Sequence, residues 1–226
     1  MKTYIEPPNF KNTNFKAFFT TKTTSDIRDF LKYSGFNEED IYLPVQKHTD
    51  NIIVLKNNRE PEVADAVLTS HKGLLIGVQT ADCIPIILAD LNKIVAGAVH
   101  AGWRGTASKI IIKTIKIMIS EFNSRVEDII IAMGPSIKGC CYQVDIDVER
   151  AIYNATGDGR YLSRKNGKYY IDLSEANKIQ ILSTGVPEKN IWVSNECTFC
   201  NHDRYHSFRF HGNYAGRQGG FIGIFK

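Results

Sequence analysis

The chain has 226 residues, 43% hydrophobic and 23% charged, which suits a soluble globular protein with a well-filled core, read as one domain over 1–226. A net charge of +4 without a Lys/Arg cluster argues against nucleic acid and suits a small anion. No stretch is long and apolar enough for a membrane span, the start MKTYIEPPNF lacks a signal-peptide core, and five cysteines, an odd number, suit a reducing cytoplasm.

In chain order, residues 15–19 read as an early strand, and Ser25 caps a helix running to Ser34 with Gly35 as its stop. Two short apolar runs within 41–55 flank Gln46-Lys47-His48-Thr49-Asp50-Asn51, a polar turn that either presents His48 or is merely solvated. Residues 64–69 form another strand. Two apolar runs, 74–89 and 94–101, then make a central hairpin. A tight turn with Leu91 and Asn92 at its tip pairs Asp90 with Lys93, which sets Cys83 opposite His100. Side chains so opposed have Cβ atoms roughly 4.5–5.5 Å apart. Pro85 cannot donate to the ladder and calls for an edge or a bulge there.

After His100, the turn Gly102-Trp103-Arg104-Gly105-Thr106 opens a helix over 107–122. Lys109, Lys113 and Lys116 form its polar stripe, which favours a buried helix over a membrane-surface one. Gly102 and Gly105 permit close backbone approach and Arg104 is a fork-shaped donor, so this turn is a candidate phosphate or carboxylate site. A buried strand at 129–133 follows. Asp145 caps a helix to Asn154, 157–168 is a polar excursion, and Ser174 starts a helix to Thr184 closed by Gly185 and Pro187. Strands at 190–195 and 220–225 bracket a tail holding His202, His206, Arg209, His211 and Arg217. Hairpins mixed with helical crossovers favour an α+β sandwich, with sheets inside and helices outside.

His48, Cys83 and His100 each sit where an apolar run meets a polar turn. Three such ligands with a fourth position open are the pattern of a catalytic zinc. Cys83 with His100 also suits a nucleophile and base, and alkylation separates the two, since bound thiolate is shielded. Asp82 becomes a proton shuttle if the strand kinks at Pro85. Cys197 and Cys200 make half a zinc ribbon that His202 and His206 would complete, though loop cysteines packed as small hydrophobes are the favoured reading. Adjacent Cys140 and Cys141 do not suit a redox pair, and one of them is expected to be buried.

The motifs QxH at 46–48, TADCxP at 80–85, VHAGWRGT at 99–106, GPxI at 134–137, CCYxV at 140–144, CTxC at 197–200, SxR at 207–209 and GR at 216–217 resemble the YfiH-like, laccase-domain or polyphenol-oxidase-like purine nucleoside phosphorylases. The resemblance runs from about residue 15 to the C-terminus. It implies a four-layer α/β sandwich of YfiH-like type, with mixed sheets inside, and a metal, zinc or possibly copper, held by His48, Cys83 and His100. The implied activities are phosphorolysis of adenosine, inosine and methylthioadenosine and deamination of adenosine, with nucleosides and phosphate as partners; the oligomeric state stays open, a monomer being the favoured form. Asp82, Arg104 and Arg209 are then candidate catalytic residues, and Gln46, Arg104 and Arg209 candidate substrate contacts. Some bacterial members are linked to editing of peptidoglycan precursors, which a Cys83-dependent hydrolase would perform. The sequence departs from the family where SYRR is common, reading Ser-Phe-Arg-Phe at 207–210, and has Thr-Asp after His48 where Gly is frequent. A copper polyphenol oxidase is the rival enzyme, and a zinc-stabilised binding module the rival outside catalysis.

Overall fold

A computed structural model of the chain describes residues 4–22, 36–56 and 59–225. Its strands are β1 Tyr4–Ile5, β2 Phe15–Thr20, β3 Ile41–Tyr42, β4 Ile52–Val54, β5 Ala66–Thr69, β6 Leu75–Thr80, β7 Ile84–Asp90, β8 Val95–Ala101, β9 Ile129–Met133, β10 Gln143–Val144, β11 Leu162–Lys165, β12 Lys168–Ile171, β13 Ile191–Val193 and β14 Gln218–Ile224. The α-helices among the described residues are α1 Trp103–Ala107, α2 Ile110–Phe122, α3 Ile146–Thr156, α4 Leu173–Leu182 and α5 Phe208–His211. The helix expected over 25–34 lies outside the described residues.

Two mixed sheets stack face to face. One runs β1-β2-β14-β6-β3 and the other β13-β9-β7-β8-β5-β4, while β10-β12-β11 form a small third sheet. The alternation of the central strands dictates the layers. Ile87 and Ala89 of β7 and Ala96 and Ala98 of β8 face the first sheet, meeting Phe19, Ile76, Val78 and Ile222. Ile86, Leu88 and Val99 face the other way and pack on Ile110, Ile111, Ile115 and Met118 of α2 and Ile181 of α4. Phe18, Phe36, Leu75 and Phe221 cover the far side of the first sheet. The molecule is therefore an α+β sandwich, and β7, buried along its whole length, reads as an unbroken apolar run for that reason.

Six expectations need correction. The run 74–89 is not one strand: it divides at 81–83, where the chain crosses from the first sheet to the second. The hairpin register is Pro85 opposite His100 and Asp90 opposite Val95, so the loop is four residues, 91–94. Asp90 Oδ1 accepts from the N–H groups of Asn92 and Lys93, both at 2.8 Å, and Ile94 closes the loop at φ 54°. No bulge forms at Pro85, because its carbonyl accepts from Gly134 N–H at 2.9 Å: its backbone polar edge faces β9, and pairing with β8 passes it undisturbed.

The helix expected over 107–122 is two, since Lys109 takes φ 58° between α1 and α2. The polar excursion 157–168 ends in the β11–β12 hairpin, turned by Asn166 and Gly167, both at positive φ, the pairing favoured for a two-residue turn. Asp172 rather than Ser174 caps α4, accepting from the N–H groups of Ser174 and Glu175.

Candidate functional site

The crossover at 81–83 and the end of β8 open onto a cleft of about 550 Å³. Gln46, His48, Asp82, Cys83, His100, Arg104 and Arg209, the candidate metal, catalytic and substrate residues, line it, together with Trp103, Tyr142, Phe208 and Arg217.

One donor atom from each of His48, Cys83 and His100 lies within 4.8 Å of the others. The register differs from the expected one by two residues, and strand alternation repeats every two. Cys83 and His100 therefore stay on the same face. His100 belongs to β8, Cys83 precedes β7, and His48 comes from the loop before β4, held at φ 58°. The two imidazoles meet edge to face with ring centroids 4.9 Å apart. Gly102 leaves room beside them: a Cβ there would meet Cys83 Sγ at 2.9 Å and His48 Cδ2 at 3.4 Å.

Asp65, fully buried one residue before β5, organises this centre. Its carboxylate accepts from the N–H groups of Lys47, His48 and Thr49 at 3.2, 3.1 and 2.6 Å and from Thr49 Oγ1 at 2.8 Å. Its Oδ1 also lies 2.7 Å from His100 Nδ1, so that ring carries its proton on Nδ1 and turns Nε2 to the centre. Burial alone would raise the Asp65 carboxyl, but the bonds from His100 and Thr49 outweigh it and hold it at about 2. Burial would lower His100, yet Asp65 and Cys83 raise it to about 9. Burial likewise opposes ionisation of Cys83, and His100 and His48 overcome it, drawing the thiol down to about 7. A carboxylate behind a ligating histidine, and a thiol biased toward thiolate, fit a soft-to-borderline metal ion.

Sequence reasoning does not reach Asp65, because an Asp at the start of an apolar run looks like any strand boundary. The antiparallel β5–β8 register, Ala66 opposite Val99, is the signal that sets Asp65 beside His100, and it joins strands that are not neighbours in sequence.

Asp82, 8% exposed and at φ 81°, accepts from Thr198 Oγ1 at 2.6 Å, Ser207 Oγ at 3.0 Å and Arg209 N–H at 2.7 Å. It fastens the C-terminal segment to the crossover that carries Cys83. Gln46 exchanges two bonds with the backbone of Gln79, at 2.8 and 2.7 Å, so its amide braces β6 from the cleft rim. The Arg104 guanidinium lies 4.2 Å from the Trp103 ring centre, and Arg209 5.2 Å from that of Tyr142 while bonding Gln143 O at 3.1 Å. Burial pushes the Tyr142 hydroxyl up to about 12, so it stays neutral near pH 7. The turn after Gly102 leads into α1, a helix of five residues, so an anion there would rest on Arg104 rather than on a long helix N-terminus.

The other cysteines are not packed as isolated hydrophobes. Cys140, Cys141, Cys197 and Cys200 gather their sulfurs within 4.8 Å of one another, and Cys140 and Cys200 are exposed. Neither member of the 140–141 pair is buried. The donor set that forms around Cys197 and Cys200 is completed by Cys140 and Cys141 and includes neither His202, which stacks on Phe210 at 3.7 Å, nor His206. No helix among the described residues is long and apolar enough to cross a membrane.

A relative from Aquifex aeolicus (strain VF5), named purine nucleoside phosphorylase, is 42% identical over 173 residues, 76% of this chain and 77% of its own. Adenosine deaminase RL5, from an unknown prokaryotic organism, is 35% identical over 205 residues, 85% of this chain and 77% of its own. The crystal structure of YlmD from Geobacillus stearothermophilus superposes with a TM-score of 0.92 at 26% identity, covering 100% of this chain and 97% of that one. The family model described as multi-copper polyphenol oxidoreductase laccase matches residues 20–225. By that match the chain belongs to the laccase-like, YfiH-type family.

Proposed function

We propose that this chain is a zinc enzyme of purine nucleosides, working at the His48–Cys83–His100 centre. Its reactions are phosphorolysis of adenosine, inosine and methylthioadenosine, and deamination of adenosine. One observation carries the reading: a three-donor centre shares a single cleft with aromatic walls and with Arg104, Arg209 and Arg217. Aromatic faces suit a planar base, and guanidinium forks suit phosphate. The names of the Aquifex relative and of RL5 support the two reaction types.

Zinc held by His48, Cys83 and His100 with one position open would supply Lewis acidity and a water of lowered pKa. The protein does the positioning. Asp65 fixes the His100 tautomer and the His48 loop. Trp103, Tyr142 and Phe208 hold the base and exclude water from one side. In phosphorolysis, Arg104 and Arg209 hold phosphate while one of its oxygens attacks C1′. The bond from C1′ to the base breaks, and the base departs with a proton, leaving ribose 1-phosphate. In deamination, water adds at C6 and ammonia leaves. Asp82, with three donors on its carboxylate, serves as a positioning residue for Arg209 and the crossover. Gln46 does the same for β6.

The test is to incubate zinc-loaded protein with adenosine, with and without phosphate, and to separate the products. Adenine formed only with phosphate, or inosine formed without it, supports the reading, and His100→Ala should abolish both. No product from adenosine, inosine or methylthioadenosine overturns it.

One observation favours a second reading. The lowered Cys83 thiol beside His100 is the pairing of a cysteine hydrolase acting on an amide, a peptidoglycan precursor among them. That reading requires alkylation of Cys83 to proceed in metal-loaded protein. Copper polyphenol oxidation has less support: a multi-copper oxidase builds its cluster from many histidines, and this chain has six, none as His-x-His. A purely structural zinc module predicts unfolding on metal removal, whereas a catalytic centre loses activity and keeps its fold.

A further inference from the structure

We infer that Cys140, Cys141, Cys197 and Cys200 form a second, structural metal site of the four-thiolate class that holds zinc. The four sulfurs lie within 4.8 Å of one another, with Cys200 Sγ 3.3 Å from Cys141 Sγ and 3.7 Å from Cys140 Sγ. A tetrahedron of sulfurs, each about 2.3 Å from zinc, has edges of about 3.8 Å; the two Cys200 contacts fall a little short of that edge, and all four sulfurs stay within 4.8 Å of one another.

The protein assembles this cluster from two segments far apart in the chain and fixes them independently of the sulfurs. Ser136 forms a β-bridge with Cys197, and Thr198 N–H donates to Ser136 O at 3.1 Å. Lys138 N–H donates to Cys197 Sγ at 3.4 Å, the kind of outer bond that steadies a ligating thiolate. Lys138 Nζ, anchored on Ser174 Oγ at 2.7 Å, is partly buried, which opposes its charged form, and it is held positive by Asp172 and Glu175 and then by Cys197 and Cys140. It offsets the net negative charge that four thiolates leave around a dication. Soft thiolates in a four-sulfur set select zinc or iron over harder ions, and with all four positions taken by protein the site is structural rather than catalytic.

Its place in the fold states its purpose. The 138–142 turn leads into Tyr142, which lines the cleft, and the 197–200 turn carries Thr198, which holds Asp82 beside Cys83. A metal bound here would tie these two walls together without taking a donor from the His48–Cys83–His100 centre. The inference does not depend on the nucleoside reading.

The test is metal content and X-ray absorption on the full chain purified from a zinc-supplied culture. Wild type should hold two equivalents of zinc. His100→Ala should hold one, with a sulfur-only shell at about 2.3 Å. Cys197→Ser/Cys200→Ser should hold one with a mixed nitrogen and sulfur shell; if that variant fails to fold, the His100→Ala spectrum decides alone. Iron in the same sulfur-only shell supports the site and changes only the metal. One equivalent in wild type, lost in His100→Ala, overturns the inference. So does a nitrogen or oxygen shell in that variant, or fewer than five free thiols in denatured, metal-stripped protein, which would mean a disulfide within the cluster.

Discussion

Asp65 Oδ1 lies 2.7 Å from His100 Nδ1 with both side chains buried, and the same carboxylate accepts the N–H of His48. One acidic group thus orients two of the three candidate ligands. Asp65→Asn keeps the shape but removes the charge and puts an amide N–H where acceptors are needed. Metal affinity should fall 10–100-fold, as for other carboxylates behind a ligating histidine. Competition with a chromophoric chelator measures it, and an unchanged affinity would sink the assigned role.

The same carboxylate sets an acid limit on the metal-free protein. Its pKa drops from 3.8 to about 2 on folding, so the unfolded chain binds the proton more tightly. A depressed carboxylate contributes stability above the unfolded value, and that contribution disappears as pH falls through the folded one. The urea midpoint of metal-free wild type should therefore decline between about pH 4 and pH 2 more steeply than that of Asp65→Asn. Parallel curves would count against it.

Cys83 supplies a second titration, read chemically. In metal-free protein its thiol ionises at about 7, because His100 and His48 overcome burial. Alkylation of the Cys83 peptide, followed by mass spectrometry, should rise through pH 7 rather than near pH 9, since thiolate is the reacting form. His100→Ala should move the curve upward. Zinc should suppress the reaction in wild type.

How far the sequence exposes this site depends on which contacts are local. His48, Cys83 and His100 are legible because each ends an apolar run, and because a two-residue error in hairpin register leaves both hairpin residues on one face. Asp65 is not, since the β5–β8 pairing that brings it to His100 skips the intervening strands. The break at 81–83 is hidden for a different reason. Both β6 and β7 are mostly apolar and buried, and the short polar interruption at their junction, Gln79, Thr80 and Asp82, looks like the solvent-facing residues of one long strand. The Cys140–Cys200 cluster needs the parallel meeting of Ser136 with Cys197, which no local pattern announces. The Asn166-Gly167 turn was within reach of turn chemistry, yet the polar residues around it obscure a hairpin with little buried surface.

Gly102 tests how closely the centre is packed. Its backbone, φ −78° and ψ −178°, suits any residue, so Gly102→Ala adds only a methyl group. That methyl would come within 2.9 Å of Cys83 Sγ. Activity should fall by roughly 10²-fold, the scale of a misplacement of about 1 Å. Stability should stay within about 1 kcal/mol of wild type, because no core contact is removed. A variant that keeps full activity would show that Cys83 has room to move and is not a fixed ligand.

Asp82→Asn separates two roles for one residue. A proton shuttle would lose one limb of the pH–rate profile. A positioning residue would keep the profile's shape while KM rises, because Arg209 is released from its N–H bond to Oδ2 and the segment holding Thr198 and Ser207 loosens. The second outcome is expected, since all three donors converge on a carboxylate with little solvent contact. A loss of about 1.5–3 kcal/mol in stability should accompany it, the scale of a hydrogen bond to a charged group. Thr198→Val, which removes one donor and leaves the carboxylate in place, should reproduce the rise in KM in milder form. If it has no effect while Asp82→Asn removes a pH limb, Asp82 moves protons.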